Sequence, residues 1–339
     1  MNKEIDLSKY QIRTDLAIDE IEQNVQLKGI RSSQKNIENI NVTEVILDEN
    51  NALNKKKGKY ITLEFEDITD SENADKVCSV LEVVLKDIIE IKKDSYGLIV
   101  GLGNDKSTPD SLGPLTINKI IVTNHIYLLD ELSDNFKRLS AINPGVMGET
   151  GIETSDIIES VVSRIKPDYL IVIDSLASKS IERLNKTIQI TDTGIHPGSG
   201  IGNKRKEISY DTLGIPVIAI GVPTVVDAAV IVSDTINFIY KNYEFNKIYS
   251  NNPKSKLTFN NVNYLDNDIV ENKEEKEKLL GLVGTLNEEE LEIFIYEVLN
   301  PIGYNYMVTP KEIDFVIHKL SNIISDSLNN VIHGIDKKW

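Results

Sequence analysis

The stretch Tyr96 to Pro114 reads YGLIVGLGNDKSTPDSLGP. Its apolar run, Leu98 to Val100, stops at Gly101 and Gly103, crosses a polar loop, and reaches Asp110 just before Ser111-Leu112-Gly113-Pro114. A continuous apolar run that ends at glycine has the pattern of a strand buried on both faces. Two further runs repeat it: Tyr169 to Ile173 ends at Asp174, and Ile215 to Ile220 ends at Gly221. Helical stripes separate the three. Leu112 to about Val122 predicts one helix. A second starts at a Thr154 or Ser155 cap, buries Ile157, Ile158, Val161, Val162 and Ile165, and stops before Pro167. Strands alternating with helices predict an α/β fold with a mostly parallel central sheet and helices on both faces.

Working outward, Tyr60 to Phe65 alternates and predicts a half-buried strand, and Ala74 to Ile91 carries a 3.6-period stripe that predicts a helix. Lys55 to Lys59 is a basic cluster and reads as a solvated turn. Residues 26–57 and 243–278 are polar and read as insertions in a single domain, the second of them exposed. Thr224-x-x-Asp227 has the spacing of a capping box before an apolar helix. Helices are predicted again over Glu288 to Leu299 and Lys311 to Ile332.

Composition narrows the function. Charged residues make up 27% of the 339 and the net charge is −16, which argues against binding nucleic acid through a basic surface. The single Cys78 excludes an intrachain disulfide and sits in a helical stripe, so it reads as a buried thiol. No run approaches the about 20 apolar residues of a membrane span, and the first twenty residues lack the apolar core of a signal peptide. The expected location is intracellular.

Two acids stand out. Asp174 and Asp110 each follow a buried strand, where open α/β sheets place their ligands, although either could simply cap a helix. Carboxylates brought together from two strand ends can share one proton, so that one acts as base and the other as acid toward a water molecule. Asp192-Thr193-Gly194 matches the short motif of pepsin-like proteases, but those are all-β and need two such loops. Thr191 to Lys206 is glycine-rich and ends in Lys204, Arg205 and Lys206, a weak phosphate or nucleotide signal that fits neither standard glycine motif. Four scattered histidines and one cysteine make a His/Cys zinc site improbable, leaving an all-oxygen metal site at Asp110, Asp174 and Glu153 as the alternative.

Longer stretches go further. TPDSLGP at Thr108, NPGVMGETGIETSDII at Asn143, IDSLASKSIERLN at Ile173, DTGIHPGSGIGNKRKEIS at Asp192, GIPVIAIGVPTVVDA at Gly214 and NPIGYNYMVTPKEID at Asn300 resemble the spore germination protease family. That resemblance implies a three-layer α/β/α sandwich similar to hydrogenase-maturation peptidases. It also implies an endopeptidase that degrades small acid-soluble spore proteins in the spore cytoplasm, works as a homotetramer, and needs no membrane, nucleic acid or cofactor. It puts the catalytic pair on Asp110 and Asp174. It makes residues 1–15 a propeptide and 16–339 the mature catalytic domain, because Thr14-Asp15-Leu16-Ala17-Ile18-Asp19 resembles a family substrate cut between Asp15 and Leu16. Two alternatives remain at this stage: a metal-dependent peptidase of the maturation type, and a non-enzymatic phosphate- or nucleotide-binding protein. Within the opening stretch, Gly101 and Gly103 are expected to give a bound peptide room to approach the backbone.

Overall fold

In the computed structural model the described residues are 16, 29–51, 55–92, 94–129, 136–197, 206–250, 272–299 and 306–335. They gather into two compact units, one holding the described residues from Leu16 to Val226 and from Thr309 onward, the other lying between Asp227 and Val308.

The larger unit is built on one sheet. Its strands are β1 (Ile30–Ile37), β2 (Ile40–Leu47), β3 (Gly58–Glu64), β4 (Tyr96–Gly101), β5 (Arg138–Ile142), β6 (Tyr169–Ser178), β7 (Thr187–Thr191) and β8 (Val217–Asp227). Their spatial order is β1-β2-β3-β7-β8-β6-β4-β5. The half formed by β5, β4, β6 and β8 is parallel. The other half pairs antiparallel throughout and joins the first through an antiparallel β7–β8 contact.

The apolar runs are continuous because helices cover both faces. Neighbouring residues on a strand point to opposite sides. Ile99, Ile171, Ile173 and Ile220 therefore pack under α1 (Ser71–Ile88), α2 (Leu112–Ile117) and α10 (Ile313–His333). Leu98, Val100, Leu170 and Val172 pack on the other side, where Ile158 and Val162 of α5 (Thr154–Ile165) cover them. Three short helices lie between: α3 (Asn124–Tyr127), α4 (Met147–Thr150) and α6 (Tyr210–Leu213). The result is the expected α/β fold with layers of helix on both faces. Cys78 is buried where α1 meets α10, its Sγ 3.2 Å from Ser327 Oγ.

Several local readings change. Residues 30–47, within the expected polar insertion, form the β1–β2 hairpin and extend the sheet. β1 is an edge strand with six exposed residues in a row, so it carries no alternation to detect. Its two-residue loop, Glu38-Asn39, adopts the doubly left-handed turn that suits hairpin twist, with φ of 52° and 69°. The helix expected to reach Val122 stops at Ile117. Lys59, expected in solvent, holds Glu44 and Asp87 at 3.1 and 2.6 Å.

The smaller unit contains α7 (Ala228–Ser250), α8 (Lys273–Leu280) and α9 (Glu288–Leu299). Helix thus replaces both ends of the expected exposed insertion, and residues 251–271 lie outside the described set. Thr224 and Asp227 belong to a strand rather than a capping box. Asp227 still serves the next helix: its Oδ1 accepts from Ala229 N at 2.8 Å, and its Oδ2 accepts from the Tyr296 hydroxyl. Burial and that bond push the Tyr296 phenol well above its ordinary pKa.

Candidate active site

β4 and β6 are neighbours, but the chain leaves β4 toward β5 and leaves β6 toward β7. Where connections diverge in this way, a crevice opens beyond the carboxyl ends of the strands. Asp174 lies at it. β4 pairs with β6 only as far as Gly101 opposite Ile173, so Asp174 is the first residue of β6 past the end of β4. The strand does not end there, as the apolar run suggested. It continues to Ser178 along β8, with Asp174 opposite Gly221. No helix starts here, so Asp174 caps nothing. It is 7% exposed, and its Oδ1 accepts from Ser175 N at 2.9 Å.

Asp110 reaches the same rim from the loop after β4. It ends a single 3-10 turn, Thr108–Asp110, while Ser111 is the N-cap of α2, so Asp110 is not a cap either. Its backbone is fixed on both sides: Asp110 N donates to Ser107 O at 2.8 Å and its carbonyl accepts from Asn104 N at 2.9 Å. The turn packs against β6. Leu102 N donates to Ile173 O at 2.8 Å, so the loop leaves β4 directly beside Asp174.

Gly101 and Gly103 do not make room for a peptide. A Cβ on Gly101 would strike the Gly113 carbonyl, one on Gly113 would strike the Leu102 backbone, and one on Gly103 (φ +110°) would strike the Asp110 carbonyl. The space they leave is filled by the chain's own backbone. These glycines position Asp110 rather than bind substrate.

One residue of the expected processing site is described. Leu16 is fully buried, packed on Leu176 and Ile195. Leu176 lies two residues after Asp174 and so shares its face of β6. Its side chain lies over Gly221, the partner of Asp174, where any Cβ would collide with it. Leu16 therefore packs on the face of β6 that carries Asp174, while Asp15 and residues 1–14 lie outside the described set.

Beside Leu16 is a cavity of about 260 Å³ lined in part by Leu176, Ile195, Gln189, Lys56, His196 and Glu207. Lys56 Nζ lies 2.7 Å from Glu207 and 2.6 Å from Asp211. Burial opposes its charge, but the two carboxylates outweigh burial and raise the Lys56 pKa above its ordinary value. His196 Nε2 is 3.8 Å from Glu207. Sequence reasoning missed Lys56 and Glu207, since a separation of 151 in sequence leaves no local pattern.

The remaining candidates separate. Asp192 Oδ1 accepts from Lys59 N at 2.8 Å in a turn, far from a pepsin-like loop pair. Lys206 is engaged by Glu159 and by Asp156 at 3.8 Å, and Lys204 and Arg205 lie outside the described residues. Glu153 stands at the N-cap of α5. Among the described residues no group of three or more His, Cys, Asp or Glu could hold a metal ion, so Asp110, Asp174 and Glu153 do not form a ready ligand set. No described helix is long and apolar enough to cross a membrane.

The sequence profile of the germination proteases matches residues 8–338. The chain belongs to the germination protease family. Germination proteases of Geobacillus sp., Priestia megaterium and Bacillus cereus are 46%, 45% and 46% identical to it, each alignment covering 98% of this chain and 96% of the relative. In structure, a NiFe hydrogenase maturation protease from Thermococcus kodakarensis aligns with a TM-score of 0.28 and 19% identity, covering 42% of this chain and 80% of that one. This germination protease homologue is a peptidase. The pepsin-like and the non-enzymatic phosphate-binding readings both fall.

Proposed function

We propose that Asp110 and Asp174 are the catalytic pair of a self-processing endopeptidase and that the bond between Asp15 and Leu16 is its first substrate. The observation that carries this reading is the burial of Leu16 on Leu176, on the same face of β6 as Asp174. A buried leucine at the rim of an active-site crevice is what a docked cleavage site requires. The substrates after activation are small acid-soluble spore proteins, met in the spore cytoplasm. The working assembly is a homotetramer, for which the exposed apolar cluster Tyr127, Leu128 and Leu129 offers surface.

The chemistry balances with one shared proton. Two carboxyls in one site favour the singly protonated state. The ionised one takes a proton from water as the oxygen attacks the Asp15 carbonyl carbon, and the protonated one gives its proton to the Leu16 nitrogen as the C–N bond breaks. The products are a carboxyl terminus at Asp15 and an amino terminus at Leu16. The pair ends with its single proton on the opposite partner.

Acid recognition fits the cavity beside Leu16. Lys56 uses two of its three N–H donors on Glu207 and Asp211, leaving one for the carboxylate that precedes the scissile bond. Self-processing tests the whole reading: purified wild type converts to a chain starting at Leu16, whereas Asp110→Asn and Asp174→Asn remain full length. Conversion of either variant at the wild-type rate would remove that residue from the mechanism.

A further inference from the structure

Hydrolysis through the aspartate pair places negative charge on the scissile carbonyl oxygen, and neither carboxyl accounts for its stabilisation throughout. A second feature of the crevice does. α5 lies over the face of the sheet that Asp174 shares. Its C-terminus precedes β6 by only three residues, Lys166 to Asp168, so it climbs alongside β6 from the same level. Twelve helical residues rise about 18 Å, and the five steps from Tyr169 to Asp174 span about 16 Å. The first turn of α5 therefore stands at the height of Asp174.

The buried stripe makes the register specific. Val162, Ile158 and Ser155 follow one another on the sheet-facing side of α5. Leu170, Val172 and Asp174 follow one another on the facing side of β6. The helix steps of four and then three residues advance about 6 and 4.5 Å, and each strand step of two about 6.6 Å, so Ser155 comes within about 3 Å of the height of Asp174. The two ladders rise nearly together: apolar against apolar for two rungs, then a serine beside the catalytic aspartate.

Ser155 is 4% exposed, yet its Oγ has no hydrogen-bond partner. A buried hydroxyl without a partner is destabilising and calls for an explanation. Its neighbour Thr154 shows the contrast, since that hydroxyl donates to Gly145 O at 3.2 Å. Helix side chains tilt toward the N-terminus, which aims Ser155 Oγ up into the crevice. The helix end adds to it. Glu153 at the N-cap makes no side-chain capping bond; its carbonyl takes the Asp156 N–H at 3.0 Å, which leaves the Thr154 and Ser155 amides and the positive end of the helix dipole.

We propose that Ser155 Oγ and the first amides of α5 form the site that receives the scissile carbonyl oxygen as it becomes an oxyanion. This rests on the assignment of Asp110 and Asp174 as the catalytic pair. Preorganised donors of this kind act mainly on kcat, because they bind the transition state more tightly than the ground state.

The test uses the full chain and reads the first-order rate of Asp15–Leu16 cleavage in Ser155→Ala, Ser155→Cys and Ser155→Thr, with melting temperature as a control. Loss of one oxyanion donor slows reaction by about 10²-fold, so Ala and Cys fall by that order while Thr, which keeps the hydroxyl, recovers most of the rate. Cys is close in size to Ser, so its result separates a lost donor from a lost contact if Ala also lowers the melting temperature. A phosphinate replacing the Asp-Leu peptide bond should lose more affinity in Ser155→Ala than the uncleaved peptide does, with both measured in the Asp174→Asn background. Wild-type rates in Ala and Cys, with Asp174→Asn inactive, would overturn the role of Ser155 alone. Activity in Asp174→Asn would overturn the aspartate pair itself.

Discussion

The two halves of the sheet differ in pairing, in burial and in task. The parallel half is covered on both faces, and its central strands present unbroken apolar runs. The antiparallel half has a solvated edge in β1 and gives up polar positions, Gln189 and Thr191 on β7 and Lys56 just before β3, to the cavity beside Leu16. The difference teaches a division of labour. In the proposed mechanism, parallel strands with a topological switch carry the acids, and the antiparallel extension supplies the wall that would meet substrate side chains.

If that division holds, damage to the parallel half should stop catalysis, and damage to the other half should change what is cut. The largest effect is expected from Asp110→Asn or Asp174→Asn, a loss of about 10²–10⁴-fold in peptide hydrolysis with an unchanged melting temperature. Next is Gly113→Ala. Its new Cβ meets the Leu102 backbone, which cannot swing aside, so overpacking should cost about 1–3 kcal/mol in chemical denaturation and displace Asp110, lowering activity as well. Lys56→Met should leave kcat on a neutral peptide intact but reduce the preference for Asp over Asn before the cut by about tenfold in kcat/KM, the equivalent of about 1.4 kcal/mol. If Lys56→Met abolished cleavage of both peptides, the division of labour would be wrong.

Smaller effects refine the comparison. His333, at the end of α10, accepts from Lys137 N at Nδ1 (3.3 Å) and lies 2.9 Å from Ile121 O at Nε2. Burial lowers its pKa more than the Ile121 contact raises it. The unfolded chain therefore takes up a proton before the folded one, and the stability His333 lends above its unfolded pKa is lost as pH falls below about 6.5. Melting curves from pH 7.5 to 5 should decline less steeply in His333→Gln than in wild type. Last, Lys59→Met removes the links from β3 to Glu44 on β2 and to Asp87 on α1, and stability in denaturant should change by no more than about 1 kcal/mol.

The same contrast explains what could be read in advance. Strands β4, β6 and β8 are visible because burial on both faces forces apolar residues at successive positions. Their true ends were not visible. Beyond Ile173, β6 turns polar at Asp174 and Ser175 while its pairing with β8 continues, and periodicity cannot register a hydrogen bond to a partner strand. β1 was hidden because an edge strand in solvent has nothing to alternate against. Asp110 and Asp174 stood out by their place after strands, and topology sets the turn that carries Asp110 against β6. Lys56 and Glu207 did not, because their partnership exists only in three dimensions, and Ser155 looked like an ordinary helix cap. The glycines of the opening stretch were noticed for the wrong reason: they admit Gly113 and Asp110, not a peptide.

The most direct measurement is the intact mass and N-terminal sequence of the purified full-length chain and of its Asp110→Asn and Asp174→Asn variants after equal incubation. The account predicts Leu16 as the new N-terminus of the wild type and Met1 for both variants. A wild type that never exposes Leu16, or a variant that exposes it as fast as the wild type, would contradict it.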